Sequence, residues 1–498
     1  MKLKTTPLLL MLAMAPMSYA KDITIGLNSD PDALDPDLSR TMVGREVFTS
    51  LFDKLIEIDQ QLNFVPMLAT SWEWTDENKG LILKLKQGVV FHDGAPFNAQ
   101  AVKFNIERSM NLDGSRRKTE LAMVNNVEVL DEYTVKLNLI QPFIPLLATL
   151  ADRSGMMVSP LAAEKQGKNF SQNPIGSGPY QFDSRVPQDR IVLDKFKGYW
   201  ESEHYHFNKV TFLPLPDSTI RLANLKSGQV DIAERITPTD VESVISDSNL
   251  HLLESSGLGY NTITFNLGYG ENKDKDMVVK KPLVREAFEY AIDRNIINQV
   301  VFSNQYVPDN QWVSPESIFY AKDIKVPTRN IEKAKSLLKE AGYDSVNIEL
   351  AIANTTEATQ LGQVIQAMAG EAGINLTLKT MDNATVLDAK TRGAYEATIA
   401  AWSGRVDPDS NIYSFYGEGG PLNENGFNDK EIQGMLVEAR SESDVEKRKK
   451  LYATAMKKVL EQRPQLYLYH PKWQWGVSNK IEGFKPYADG MPRLRDVK

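Results

Sequence analysis

The 498-residue chain contains no cysteine. That excludes a disulfide framework and a thiolate-held metal centre, and it leaves no N-terminal cysteine to carry a lipid. Histidine is nearly as scarce, with five residues at positions 92, 204, 206, 251 and 470. None belongs to an HExxH pattern, and neither GxSxG nor GxGxxG occurs, so the common zinc-hydrolase, serine-hydrolase and dinucleotide signatures are missing. No apolar run approaches the roughly 20 residues that a membrane-spanning helix needs. Basic residues are outnumbered, and the net charge of −8 argues against a nucleic-acid surface.

What is present begins with MKLKTTPLLLMLAMAPMSYA. Lys2 and Lys4 give a basic start, Leu8 to Ala15 a short apolar core, and Ser18-Tyr19-Ala20 a small-residue cleavage pattern. This is the layout of a secretory signal cut after Ala20. The expected mature chain of 478 residues would be a soluble periplasmic protein, with its net charge moved from −8 to −10 by loss of the two lysines. Its length predicts roughly two to four domains. An apolar share of 42% is enough to build large cores without disulfides.

Strand and helix patterns alternate throughout. Leu81, Leu83 and Leu85, and then Tyr133, Val135, Leu137 and Leu139, follow a period of two. They predict a small, mainly antiparallel layer over about 55–170, with a helix from Ala99 to Met110. DSTIRLANLKSGQ predicts a helix capped by Asp217 or Ser218 and stopped near Gly228. KPLVREAFEYAIDRNIINQVVF reads as one amphipathic helix, and NIEKAKSLLKEAGYD as another between Asn330 and Gly342. Ile348, Leu350 and Ile352, a helical face at Leu361, Val364, Ile365 and Met368, and then Ile374, Leu376 and Leu378 form a βαβ unit. The next strand, EATIAAW, ends on Trp402. Carboxyl ends of strands in open α/β sheets border ligand crevices, and a loop from Gly404 to Ser410 is expected to hang over one.

The polar motifs each admit a plain reading beside the functional one. His92 and Asp93 suggest hydrolysis, but Asp93-Gly94 is also a turn signal. GSGPY at 176–180 lacks the Lys-Ser/Thr of a phosphate loop and reads as a chain crossing. His204 and His206 are too few to hold a metal without further ligands. Arg153, in Asp152-Arg153-Ser154, is either a carboxylate clamp or a surface ion pair worth ~0–1 kcal/mol. Met42 is either a ligand contact or a core residue at a helix start.

Six blocks, in order along nearly the whole mature chain, carry a resemblance: PMLATSWEWTDENKGLILKLKQGVVFHDGAPFNAQAVKFNIER, NPIGSGPYQF, PLPDSTIRLANLKSGQVDI, PLVREAFEYAIDRNII, NIEKAKSLLKEAGY and WSGRVDPDSNIYSF. The sequence resembles the bacterial extracellular solute-binding proteins of family 5, receptors of ABC importers for peptides, nickel and glutathione. The resemblance implies a two-lobed α/β periplasmic binding protein fold with an inserted subdomain, a two-strand hinge and a ligand cleft between the lobes. It divides the chain into a signal peptide (1–20), lobe I (21–54, 171–267 and 474–498), the insert (55–170) and lobe II (268–473). The hinge strands fall near Ile263 to Leu267 and Gln474 to Ser478.

By the same resemblance, Thr41, Met42 and Arg45 face ligand from the N-terminal loop, and Arg153 and Ser154 from the returning insert. Trp402, Ser403, Gly404, Arg405 and Asp407 face it from lobe II, the plain alternatives being that Arg405 pairs with Asp407 or Asp409 and that Trp402 is a core residue. Peptide receptors of the family hold the peptide amine with an aspartate where this chain has Arg405. The departure leaves Asp407 as the nearest acid and favours a ligand with extra negative charge. The expected function is capture of a small peptide, di- or oligopeptide or glutathione-like, by a monomer without cofactor or catalysis, for delivery to an inner-membrane ABC permease. A nickel-chelate receptor is the alternative within the family, and a secreted hydrolase using His92 and Asp93 the alternative outside it.

Overall fold

The computed structural model describes residues 21–498, so the expected export signal lies outside the described residues. Two large mixed sheets organise the chain. The first runs Leu250–Ser256, Lys472–Ser478, Ile232–Ala233, Ile23–Leu27, Lys209–Pro214, Arg190–Lys195 and Tyr180–Val186. The second runs Val307–Pro308, Gln465–His470, Tyr260–Phe265, Ala397–Trp402, Val346–Ala353 and Ile374–Met381. Each has its own core. Ile23, Ile25, Val210, Phe212 and Trp475 belong to the first, and Ile263, Phe288, Leu350, Ile365 and Leu466 to the second.

Between the first helix and the return to the first sheet sits a smaller four-stranded antiparallel sheet. Its order is Ala69–Thr75, Gly80–Leu85, Thr134–Leu139 and Val124–Asp131. The period-two leucines Leu81, Leu83 and Leu85 and their partners Val135 and Leu137 are buried on one face, beneath the helix Ala99–Asn111 capped by Asn98. The chain leaves this layer through 176–178. Gly176 and Gly178 lie so close to the Leu51 carbonyl group that a Cβ would come within 2.0 and 2.6 Å of its atoms. Their function is close backbone approach, not phosphate binding.

Helix boundaries follow their caps. Asp217 accepts from the Thr219 and Ile220 amides to start Ser218–Ser227, and Gly228 ends it with φ +76°. The segment 282–302 is two helices, not the single one its periodicity predicts. Ile292 takes an extended conformation after Pro282–Ala291, and the Asp293 side chain caps a new helix, Arg294–Phe302. The loop expected over Gly404 to Ser410 is also shorter. Asp407 caps a helix that starts at Pro408, where a missing amide costs nothing.

Two stretches carry the chain between the large sheets, at 257–259 and at Pro471. They lie side by side, with the Gly257 amide donating to the Pro471 carbonyl at 3.0 Å. His470 bonds the Gly259 carbonyl through Nδ1 at 2.7 Å. The crossings therefore sit just outside the strands expected as the hinge: Ile263–Phe265 lies within the second sheet and Gln474–Ser478 within the first. Where the halves meet again, Ile144 donates to the Arg440 carbonyl at 2.9 Å, and Ser441 Oγ donates to the Pro142 carbonyl at 3.2 Å.

A Cβ on Gly259 would lie 2.1 Å from the Trp402 carbonyl oxygen. Gly259→Ala therefore forces the crossing strand away from Trp402, at a cost of about 1–3 kcal/mol. Urea unfolding of the two proteins checks this, and coincident midpoints would refute it.

Candidate binding site

The candidate site forms where the first helix, the insert and the end of the strand Ala397–Trp402 meet. The first helix, Met42–Leu51, begins at Thr41, whose Oγ accepts from the Gly44 amide while its hydroxyl donates to Asp32. This cap fixes the first turn, from which Arg45 reaches the insert. Arg45 Nε lies 2.9 Å from Asp152 Oδ1. From the other half, Arg405 Nε lies 2.7 Å from Asp152 Oδ2. One carboxylate thus joins guanidiniums from both halves of the molecule.

Two more arginines complete the group. Arg153 Nη1 donates to the Ser39 carbonyl at 2.9 Å and is 3.4 Å from that of Thr41. Arg117 pairs with Glu120 and also reaches the Ser39 carbonyl at 3.4 Å. Ser154 Oγ donates to the second oxygen of Glu120 at 2.7 Å. Arg45, Arg117 and Arg153 are 6%, 3% and 4% exposed, so this charge is largely removed from water. Burial alone would raise the Asp152 carboxyl, but Arg45, Arg405, Arg153 and Arg117 hold it far below the usual carboxylate range. Burial and the like charge of Arg117 push the Arg153 guanidinium well down. Arg405 is pushed down to about 10, by burial first and by Arg45 second, with Asp152 opposing.

The second-half corner is densely bonded. Arg405 lies over the Trp402 ring, 4.7 Å from its centroid. Its Nη1 donates to Ser403 Oγ and to the Gly404 carbonyl. Asn411 Oδ1 accepts from Trp402 Nε1 and from the Arg405 amide, both at 2.8 Å, and its Nδ2 returns a bond to the Arg405 carbonyl. Gly404 has φ +78°, and a Cβ there would be 2.2 Å from the Leu258 carbonyl carbon. The corner is therefore seated directly on the crossing strand.

The structure brings Arg45, Arg153, Ser154, Ser403 and Arg405 into this one group, with Thr41 and Trp402 at its edge. Met42 lies beside it, its sulfur 3.2 Å from Arg235 Nη2. Asp407 is engaged elsewhere. Arg448 Nη1 and Nη2 hold its two oxygens at 2.9 and 3.0 Å, and one oxygen also caps the next helix. Both of its oxygens are thus paired with one guanidinium. Arg117, Glu120 and Asn411 were not anticipated. Arg117 lies in the basic run SRRKTE, which reads as a solvated patch, and nothing in the sequence links Asn411 to Trp402.

His92 has no free nitrogen for proton transfer. Nε2 bonds the Gly178 carbonyl at 3.0 Å, Nδ1 accepts from the Gly176 amide at 3.2 Å, and burial lowers its pKa to about 4. Asp93 accepts from Ser159 Oγ and the Ala95 amide. The pair braces a turn. His204 pairs with Asp496 at 2.7 Å. Among the described residues, no three His, Asp or Glu side chains are grouped to hold a metal.

Residues 63–423 match the family model described as bacterial extracellular solute-binding proteins, family 5 Middle. The glutathione-binding protein GsiB of Salmonella typhi is 29% identical over 486 residues, covering 95% of this chain and 93% of that protein. Among solved structures, the periplasmic binding protein DppA from Helicobacter pylori in complex with the peptide STSA superposes with a TM-score of 0.87 at 23% identity, covering 96% of this chain and 97% of that one. NikZ from Campylobacter jejuni in complex with Ni(L-His) gives 0.85 at 22% identity, covering 95% and 97%. These two likenesses establish the shared two-lobed fold.

Next to Arg45 on the first helix, Glu46 faces inward and is fully buried against Glu234. Arg235 follows at φ +49°, its guanidinium 4.9 Å from the Trp473 ring centroid. Burial, and then the charge of Glu234, raise the Glu46 carboxyl well above its ordinary value of 4.5. Above that pH the folded protein therefore holds the Glu46 proton more firmly than the unfolded chain does. The folded state binds the extra proton, so stability falls as pH rises beyond about 4.5. Glu46→Gln mimics the protonated acid. Its melting temperature relative to the parent is expected to rise as the pH is raised above 4.5 in scanning calorimetry, and a pH-independent offset would refute the assignment.

Proposed function

The chain belongs to family 5 of the bacterial extracellular solute-binding proteins, and on that premise we propose that it captures a small peptide or glutathione-like solute. Capture occurs by closure of the two lobes, and the solute is then handed to the permease of an ABC importer. The single observation that carries this reading is the Asp152 carboxylate bridging Arg45 and Arg405. A buried ion pair joining two halves that are linked by only two short crossings is what closure assembles. Buried charge pairs are strong where water is excluded and costly when left incomplete.

In this reading Thr41, Met42, Arg45, Arg153 and Ser154 form one wall of the cleft. Trp402, Ser403, Gly404 and Arg405 form the other. The guanidiniums meet carboxylates of the solute, Trp402 gives apolar contact, and closure expels water so that the charge-assisted bonds strengthen. Lobe I comprises 21–54, 171–267 and 474–498, with 55–170 inserted, and lobe II comprises 268–473. The protein acts as a monomer in the periplasm after removal of residues 1–20. The glutathione-binding name of a relative matching nearly the whole chain supports a peptide-like solute.

Native mass spectrometry of protein purified without refolding, with a thermal-shift screen over dipeptides, tripeptides, glutathione and nickel–histidine, tests this reading. A peptide at 100 times its dissociation constant should stabilise the protein by about 2.7 kcal/mol. X-ray scattering should show compaction on binding. Arg405→Ala should weaken binding more than tenfold. Stabilisation by the nickel chelate alone, or cleavage of a peptide, would overturn the proposal.

A further inference from the structure

We propose that the solute carries at least two carboxylates, which complete the cluster of Arg45, Arg117, Arg153 and Arg405; this rests on the solute-receptor reading above. The argument is one of unmatched charge. Four guanidiniums converge here, and Asp152 and Glu120 are the acids that pair with them. Arginine does not shed its proton in a protein, so the positive excess cannot be relieved by titration. The other acids on the same elements are committed. Asp407 is held by Arg448 and Asp409 by Arg440, Asp32 accepts from Ser39, Thr41 and the Arg40 amide, and Glu46 is fully buried against Glu234, which disfavours its charged form.

The unused donors point the same way. Among the described residues, Arg45 Nη1, Arg117 Nε and Arg153 Nε have no hydrogen-bond partner, although all three side chains are more than nine-tenths buried. Buried N–H groups seek acceptors, and planar guanidinium edges fit the two oxygens of a carboxylate. These donors come from the first helix, the segment before Glu120 and the turn after Asp152, so they approach from different directions. One carboxylate does not satisfy such a set as well as two. A neutral dipeptide brings one carboxylate and an ammonium, and a cationic metal chelate brings the wrong sign. Acidic dipeptides and tripeptides with a side-chain or γ-linked carboxylate fit.

Isothermal titration at low ionic strength separates these possibilities. The probes are glutathione, Ala-Glu and Ala-Asp, their amide counterparts Ala-Gln and Ala-Asn, and inorganic phosphate as a second dianion. At least one dicarboxylate is expected to bind tenfold or more tightly than its amide counterpart, with affinity falling as salt is added. In Arg405→Gln, or in Arg117→Gln if the first variant is unfolded by circular dichroism, that ratio should drop below threefold. Equal affinity for acid and amide peptides would overturn the dicarboxylate assignment and leave the receptor reading intact. Tighter binding of phosphate than of any peptide would overturn the carboxylate assignment as well. If no peptide binds and nickel–histidine does, both readings fall.

Discussion

The charge on Asp152 holds together pieces of chain that share no strand and no helix. Arg45 comes from the first helix, Arg405 from the end of a strand more than 350 residues later, and Asp152 from the turn where the insert returns. Removing one partner from such a buried group costs about 3–5 kcal/mol, far more than an exposed pair is worth, because the remaining charge stays stranded. The arrangement of the two halves and the ionisation of this carboxylate are therefore one problem. The surrounding guanidiniums keep Asp152 ionised against the cost of burial, and Asp152 keeps Arg45 and Arg405 close despite their like charge.

That ion pair needs a stiff corner behind it. Asp407 and Arg448 form a bidentate pair that anchors the helix after Arg405, and Asn411 ties that helix back to both Trp402 and the Arg405 backbone. The Tyr260 hydroxyl, buried in the neighbouring strand, donates to the Asn411 carbonyl at 3.0 Å. Gly404 and Gly259 then press this corner against the crossing strand with no room for a side chain. The corner is thus an extension of the hinge.

Much of this architecture is legible in the sequence. The leucine and valine alternation in the insert, the βαβ unit at 346–381, the Asp217 and Asn330 caps and the placement of Trp402 at a strand end all follow from period and cap chemistry. The errors have definite causes. Periodicity at 282–302 is continuous, but Asp293 offers its side chain to two amides and so restarts the helix. Pro408 falls inside the loop expected over Gly404 to Ser410 and is instead a first helical residue. The Asp407–Arg448 pair was hidden for another reason: the two lie 41 residues apart with no signal of the pairing. The same holds for Arg117, whose burial depends on where the insert folds back. Spacing locates residues on elements; it does not show which charges the fold places in one dry space.

In the proposed reading, the arginine cluster makes closure and solute charge the same event. In an opened molecule water reaches the guanidiniums and their excess charge costs little. Closing removes that water, and at an effective dielectric constant near 20 two unit charges 4 Å apart interact by about 4 kcal/mol. Repulsion among the arginines therefore resists closure, and carboxylates brought by a solute reverse its sign. A ligand shifts a two-state equilibrium only by its difference in affinity for the two states, and here that difference lies in the charge it carries into the cleft. A neutral molecule of the same size fills the space but leaves the repulsion in place. On that proposal, selectivity needs no tight steric match, because closure around a solute of the wrong charge leaves the repulsion unrelieved.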